Sequence, residues 1–404
     1  MNHVFVVGSK GIPAQYGGFE TFIEELTAGK QSPEIMYHVS CMNNDENHFE
    51  YNDADCFNVR VPMPGAPGRI FHVGRVLSQV EEWIKCHSNE RVIVYILGCR
   101  IGPLLIPYAK KLHKLGAKIY CNPDGLEWKR SKWSTPAKTF LKYCEKCLVE
   151  NSDLSICDSV NIEKYIQETY SKKAKTTTFI AYGAYVEKSI CSEEKLQEWY
   201  SQHNLSTDSY YLIVGRFVPE NNYETMIAEF MRSKTKRDLV IITNVEKNKF
   251  YTVLAEKTGF EKDKRIKFVG TVYDQQLLKK IREGAHGYMH GHEVGGTNPS
   301  LLEGLASTKI NLLLNVGFNT EVGGNGALYW EKRSGDLAKL LDQADVLGGD
   351  EISRLDQLST SRIKDAYRWE DIITKYEEVF LEGFRTINNN NNEVKSFVFG
   401  ERNT

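Results

Sequence analysis

The sequence predicts an α/β protein of two doubly wound, parallel-sheet domains that face each other across a cleft, with a C-terminal helix crossing back to the first. Three observations lead there. At 404 residues the chain exceeds one ordinary core and suits two domains of usual size. Short apolar, β-branched runs alternate with amphipathic helical stretches in both halves, the pattern of parallel strands joined by crossover helices. Each half also opens with a strand, a glycine-containing loop and a helix, the unit that holds ligands at the carboxyl edge of such sheets.

Composition narrows the function. A hydrophobic content of 41%, a charged content of 26% and a formal net charge of -2 fit a soluble globular protein and argue against a dedicated nucleic-acid binder. The 9 cysteines are scattered through apolar runs, which suits reduced thiols better than a disulfide framework. Cys144 and Cys147 form a CxxC within a helical pattern, with no second pair at metal spacing, and read as buried thiols. No stretch approaches the roughly 20 apolar residues of a spanning helix, and the N-terminus enters a strand without a signal-peptide pattern. The chain is therefore expected neither to cross a membrane nor to be exported through one.

The first domain is expected over residues 1–190. His3 to Val7 is a strand that runs into Gly8, and Gly17 and Gly18 open a helix, Phe19 to Ala28, with Phe22, Ile23 and Leu26 on one side. The loop between them, GSKGIPAQYGG, lacks the G-x-G-x-x-G spacing of a dinucleotide site. Val92–Leu97, Lys118–Cys121 and Leu154–Cys157 read as further strands, with a helix over Leu104–Leu115. Asp124 to Trp133, DGLEWKRSKW, follows one of these strands directly. Carboxylates such as Asp124 and Glu127 accept hydrogen bonds from sugar hydroxyls, and rings such as Trp128 stack on the apolar faces of sugars. Asp124 beside Gly125 also reads as a plain turn residue. From Lys129 to Lys146 the chain is basic and aromatic, the composition of an amphipathic interfacial helix interrupted by Pro136, or of a solvated helix packing Phe140, Leu141 and Cys144 inward. Pro62 to Arg69, PMPGAPGR, reads as a mobile, exposed loop.

A polar stretch, Glu187 to Asp208, marks the boundary, and the second domain is expected over 191–370. Tyr211 to Val214 is a strand that leads into Gly215 and Arg216; a guanidinium there suits a diphosphate, although a surface ion pair is the commoner fate of an arginine. Leu239–Thr243, Ile266–Val269, Gly287–Met289 and Asn311–Leu314 continue the alternation. The fourth strand–helix unit carries the most informative stretch, HGHEVGGTNPSLLEGLA, His290 to Ala306. Thr297 or Asn298 caps a helix with Pro299 in its first turn, and Gly295 and Gly296 let a ligand approach the backbone. The free N–H groups of that helix start favour a phosphate, and Glu303, one turn in, is placed to accept from a sugar hydroxyl beside it. A long helix follows at the C-terminus, expected over 371–387 and docked on the first domain. The tail from 388 to 404, with its asparagine run, is expected to be disordered.

These stretches resemble a family. GRFVPENNYETMIAEF (Gly215–Phe230), GGTNPSLLEGLA (Gly295–Ala306) and the Trp369-Glu370-Asp371 helix are similar to the GT-B retaining glycosyltransferases of family four. GSKGIPAQYGGFETFIEEL and NPDGLEWKRSKW look more narrowly like the bacterial rhamnosyltransferases that build streptococcal polysaccharides on a lipid carrier. The resemblance implies a donor diphosphate held by Arg216, Gly295, Gly296 and Thr297 and a ribose held by Glu303; Asn298 at the helix start and Gly17 and Gly18 in the first-strand loop are the further donor-binding candidates. It implies a nucleoside diphosphate sugar as donor, with dTDP-rhamnose the leading choice and a UDP-sugar the alternative, and a lipid-diphosphate-linked saccharide as acceptor at an anionic membrane surface. The enzyme is then expected on the cytoplasmic face of the membrane, with no obligatory metal or other cofactor. Asp124 and Glu220 are the candidates to act on the acceptor hydroxyl or near the sugar, Lys129 the candidate for added positive charge, and Glu127, Trp128 and Arg130 the candidates for acceptor binding. Two departures stand out. Gly295 occupies the place of the family's first glutamate, with Glu293 displaced by two, and Asn221 stands where the family carries a lysine. An epimerase on the same scaffold and a non-catalytic sugar-binding module are the competing readings.

Overall fold

The computed structural model describes residues 1–14, 17–43, 45–61, 63, 65–130, 132–171, 174, 176–245 and 248–387. The expected disordered tail, and Pro62 and Pro64 of the expected loop, lie outside them. Two compact units emerge: one holds Met1–Lys129, Trp133–Ala181 and the chain from Trp369, the other Arg130–Lys132 and Tyr182–Arg368. The main stretch of the second unit thus begins at Tyr182, ahead of the polar stretch in which the sequence reading placed the boundary.

In the first unit the strands are β1 (Asn2–Val7), β2 (Ile35–Asn43), β3 (His48–Tyr51), β4 (Ala54–Arg60), β5 (Arg91–Leu97), β6 (Lys118–Asn122), β7 (Leu154–Cys157) and β8 (Thr177–Phe179). Among the described residues they form one sheet in the order β3-β4-β2-β1-β5-β6-β7-β8, in which only β3 and β4 pair antiparallel. The helices are α1 (Gly18–Ala28), α2 (Gly65–Cys86), α3 (Leu105–Lys114), α4 (Thr135–Asn151) and α5 (Val160–Thr169).

The sequence reading has no strand between residues 35 and 60, because polar side chains interrupt the apolar pattern there. The structure shows why they are tolerated. His38 meets His3 at 2.9 Å and Asp55 at 2.8 Å, and the Ser40 hydroxyl donates to the Val6 carbonyl. Two further expectations are corrected. The segment expected to be a mobile loop up to Arg69 has its first helical turn from Gly65, with Pro67 where a helix start accepts proline. Pro136 does not interrupt a helix either; it stands in the first turn of α4.

The C-terminal helix (Trp369–Ile387) is built into this unit's core. Tyr376 and Phe380 are buried; Tyr376 lies 4.9 Å from Phe22, and Phe380 lies 5.7 Å from Tyr95, between ring centres. Glu377 accepts from the backbone N–H groups of Gln31 and Ser32 at 2.9 Å each, so the carboxylate ties the helix to the loop after α1.

The second unit contains β9 (Tyr210–Val214), β10 (Asp238–Ile242), β11 (Ile266–Gly270), β12 (Gly287–His290), β13 (Asn311–Leu314) and β14 (Leu328–Trp330). Among the described residues they form a parallel sheet in the order β11-β10-β9-β12-β13-β14. Its helices are α6 (Glu193–His203), α7 (Tyr223–Arg232), α8 (Lys249–Thr258), α9 (Gln275–Gly284), α10 (Pro299–Ser307), α11 (Gly317–Gly323), α12 (Asp336–Ala344) and α13 (Gly349–Ala366). Tyr211, Ile213, Leu239, Leu312 and Trp330 form the packed centre of one face. Chain order reverses between β9 and β12, and that reversal is where open α/β sheets leave a crevice for ligands.

All of the cysteines are free, Cys144 and Cys147 among the buried ones. Among the described residues no helix is long and apolar enough to cross a membrane.

Candidate functional site

The two strands that flank the reversal in the second sheet, β9 and β12, run into the two loops the sequence singled out. The loop after β9 carries Arg216 and Glu220; the loop after β12 carries Glu293 and Gly295. Hydrogen bonds join them. Asn222 Nδ2 donates to the Gly291 carbonyl at 2.7 Å, and the Glu293 N–H donates to the Glu220 carbonyl at 3.2 Å. Asn221, where the resemblance leads one to look for a lysine, is buried and donates to the Arg216 carbonyl at 2.7 Å. Its amide braces the loop. Arg216 itself is exposed and, among the described residues, in no ion pair. Glu220 is buried, at 6% exposure.

Gly295 stands at φ +151°, and among the described residues a Cβ there would meet nothing within 4 Å, so the backbone has an open face. The cap of α10 is Asn298: its side chain accepts from the Ser300 N–H at 2.9 Å, and Pro299 is the first helical residue. Thr297, the other candidate, is buried before it. The Ser300 hydroxyl donates to the Val214 carbonyl at 2.9 Å, which pins the start of α10 to the end of β9. Glu293 pairs with Lys332 instead of turning toward the open loop.

Glu303 does not stand alone on α10. Its Oε2 meets the guanidinium of Arg282 from α9, a buried arginine that the sequence reading missed. No local signal marks it, since the partner lies on a different helix. His290 and His292 were also passed over, although alternation at a strand end, H-G-H, places both rings on one side. They stack with ring centres 4.3 Å apart. Burial holds His290 down to about 3; burial, followed by His290, Arg216 and Arg130, holds His292 far below the ordinary imidazole range. Both rings are neutral.

In the first unit Asp124 follows β6 at φ +64°, a left-handed conformation that aspartate tolerates better than most residues. Its N–H donates to Asn122 Oδ1, and its own Oδ1 accepts from the Gly125 N–H, both at 2.8 Å. The turn reading therefore describes its local structure. The same turn fixes the carboxylate at a strand end. Glu127 is buried and accepts from Trp133 Nε1 at 3.2 Å and from Arg100 at 3.4 Å, so it braces this loop. Lys129 is exposed and lies 5.5 Å from the centre of the Trp128 ring, which Lys142 also approaches, at 4.5 Å. Arg130 is buried and belongs to the second unit, where its charge acts on His292.

Gly17 and Gly18 lie at the start of α1, close to that helix's own carboxylates. Lys10 N–H donates to Glu20 Oε1 at 2.8 Å, Ala14 N–H donates to Glu24, and a Cβ on Gly17 would collide with Glu20 Oε2. This loop meets its anions from within the chain.

A family model described as a domain of unknown function (DUF1972) matches residues 1–185. No curated protein sequence matches the chain. Among solved structures the chain is similar to a sucrose-phosphate synthase from Thermosynechococcus elongatus, at 15% identity over 96% of this chain and 100% of that one, with a TM-score of 0.76. It is similar to an E. coli structure described as trehalose-6-phosphate bound with UDP-2-fluoro glucose, at 13% identity over 94% and 99% of the two chains and a TM-score of 0.69. It is also similar to Anabaena HepE in complex with UDP and glucose, at 13% identity over 95% and 100% and a TM-score of 0.70. The fold is GT-B, two Rossmann-like α/β domains, the class the sequence predicts.

Proposed function

We propose that the protein is a glycosyltransferase that takes L-rhamnose from dTDP-rhamnose and attaches it, with retention, to a polyprenyl-diphosphate-linked saccharide. The observation that carries this reading is the convergence at the reversal of the second sheet: an exposed Arg216 that is in no ion pair among the described residues, an open Gly295 and a capped helix start, with Glu303 one turn in. An arginine and oriented amides neutralise a diphosphate, and the carboxylate accepts from the sugar of the nucleoside. Two proteins of the same fold hold UDP-2-fluoro glucose or UDP with glucose, which supports a nucleotide-sugar donor and keeps a UDP-sugar as the second reading. Rhamnose, a β-1,4 linkage and the lipid-linked acceptor rest on the resemblance of the GSKGIPAQYGG and NPDGLEWKRSKW stretches.

In the proposed reaction the bond from the anomeric carbon to the donor phosphate breaks, and a bond to the acceptor oxygen forms on the same face. The electron pair leaves with the nucleoside diphosphate. Arg216 and the amides from Gly295 to Asn298 stabilise the charge that grows there, which is where preorganised donors lower a barrier most. The acceptor hydroxyl loses its proton to Asp124 or, as the alternative, to Glu220. This clamp needs no divalent ion.

The test is to incubate the protein with dTDP-rhamnose or UDP-glucose, with and without a polyprenyl-diphosphate saccharide, in EDTA. The expected outcome is nucleoside diphosphate release that requires both dTDP-rhamnose and the acceptor, with an axial or equatorial product anomer matching the donor. Release from UDP-glucose alone would move the donor assignment, and a rearranged nucleotide sugar without transfer would favour the epimerase.

A further inference from the structure

His290 ends β12 and His292 begins the loop beyond it. The inner ring is anchored: His290 Nδ1 lies 3.1 Å from Tyr288 Oη, which lies 3.0 Å from Ser300 Oγ, the hydroxyl that donates to Val214. The outer ring stacks on it with planes 11° from parallel and is held through its backbone, since Asn319 Nδ2 donates to the His292 carbonyl at 3.1 Å. The two nitrogens of His292 differ. Nδ1 is buried without a hydrogen-bond partner among the described residues, while the other edge lies over Gly215, with Cε1 3.2 Å and Nε2 3.7 Å from where a Cβ on that residue would stand. The residue as a whole keeps partial exposure. A buried N–H without an acceptor is costlier than a buried lone pair, so the proton of the neutral ring belongs on Nε2, at the edge facing Gly215 and the chain leading to Arg216. Asn221, the other side chain over Gly215, has its amide committed to the Arg216 carbonyl.

We propose that His292 donates its Nε2–H to the diphosphate of the bound nucleotide, as a neutral second donor beside Arg216. The inference rests on the nucleotide-sugar reading above. It gives a ligand contact to a residue of the His290–Ala306 stretch that the sequence analysis left without a role and that lies outside the clamp of Arg216 and α10. The chemistry suits the place. A second cation beside Arg216 and Arg130 would be repelled, whereas a neutral N–H contributes a hydrogen bond to an anion without adding charge. Stacking on His290 and the small residue at 215 fix its direction, so little ordering remains for binding to oppose.

The test is calorimetric binding of dTDP and UDP, with thymidine as the control lacking phosphates, to the full chain and to His292→Phe and His292→Gln. Phenylalanine preserves the stacking ring and removes the donor; glutamine restores an N–H. The expected result is that His292→Phe binds the diphosphates about 10-fold or more weakly, with thymidine binding unchanged and with partial recovery in His292→Gln. Wild-type binding in His292→Phe, while Arg216→Ala loses it, would overturn this proposal alone. Wild-type protein that binds neither diphosphate would overturn the nucleotide-sugar reading together with it. A second measurement does not depend on how the variants fold. In the wild-type chain labelled with nitrogen-15 in histidine, the free protein is expected to show the Nε2–H form of His292, with a resonance that moves on adding dTDP. An Nδ1–H form, or no movement at saturation, would refute the assignment.

Discussion

Arg282 and Glu303 form an ion pair between α9 and α10 in which the arginine side chain is 3% exposed and the glutamate 33%. The asymmetry gives each partner a part. The buried guanidinium fixes the carboxylate through Oε2, and the half-exposed carboxylate keeps an accessible edge one turn into the helix whose start faces the open Gly295 loop. Arg282 is thus a positioning residue for the proposed ribose contact. Arg282→Met is expected to weaken dTDP binding about 10-fold, close to the loss in Glu303→Ala, and the double variant is expected to lose little more than either. Additive losses in that cycle would mean that the two residues act separately.

How much of this was legible in the sequence follows from where each partner sits. Strands buried on both faces, such as Tyr210–Val214 and Arg91–Leu97, read directly as apolar runs, and the cap at Asn298 is local chemistry. The strands at β2 and β4 were hidden because His38, Ser40 and Asn58 are buried polar residues whose partners are known only once the sheet is formed. Arg282 escaped for the same reason: nothing near it in the chain indicates that Glu303 will be its counter-ion. Asp124 and Gly17 show the reverse limit. The sequence marks both loops, but it does not reveal that one carboxylate caps its own turn or that Glu20 and Glu24 occupy the amides of the other.

Acid sensitivity is expected from the buried imidazoles. Burial lowers His72 on α2 from 6.5 to about 4, and His290 to about 3. Below pH 6.5 the unfolded chain takes up protons that the folded chain refuses, so this contribution to stability is complete above 6.5 and is lost as pH falls toward 4. Each such group adds a slope of about 1.4 kcal/mol per pH unit within that window. Thermal unfolding followed at pH 7, 6, 5 and 4.5 should show this loss, and His72→Met should flatten the slope for the transition of the first unit. An unchanged slope in that variant would show that His72 is protonated in the fold.

A membrane surface is expected to meet α4. Phe140 and Tyr143 are each 49% exposed there, beside exposed Lys142 and Lys146, and Leu104, in the turn before α3, is 50% exposed. Phe140 does not pack inward as the solvated-helix reading required. Basic residues near anionic lipid contribute about 1 kcal/mol each, and side chains such as Phe140 add apolar burial in the headgroup region. Co-sedimentation with phosphatidylglycerol vesicles is expected to exceed that with phosphatidylcholine vesicles and to fall with added salt. Phe140→Ser with Tyr143→Ser should reduce it further. Equal sedimentation with both lipids would remove this surface from consideration.

Asp124 tests the chemistry most directly. Its φ of +64° and the two hydrogen bonds within its turn hold the carboxylate at the end of β6, and the same bonds are compatible with a purely structural residue. The two roles diverge under substitution. Asp124→Asn retains the size and an oxygen that accepts from the Gly125 N–H, so the turn should survive, but the group no longer accepts a proton from an acceptor hydroxyl. If Asp124 acts on that hydroxyl, turnover falls by roughly 10²-fold or more while dTDP binding stays at the wild-type value. Asp124→Gly then separates the cases further, because glycine adopts the left-handed conformation without strain and keeps the turn while removing the carboxylate. A structural residue gives near-normal transfer in both variants, and the role passes to Glu220. A proton acceptor gives a deep loss in both, with unchanged nucleotide affinity.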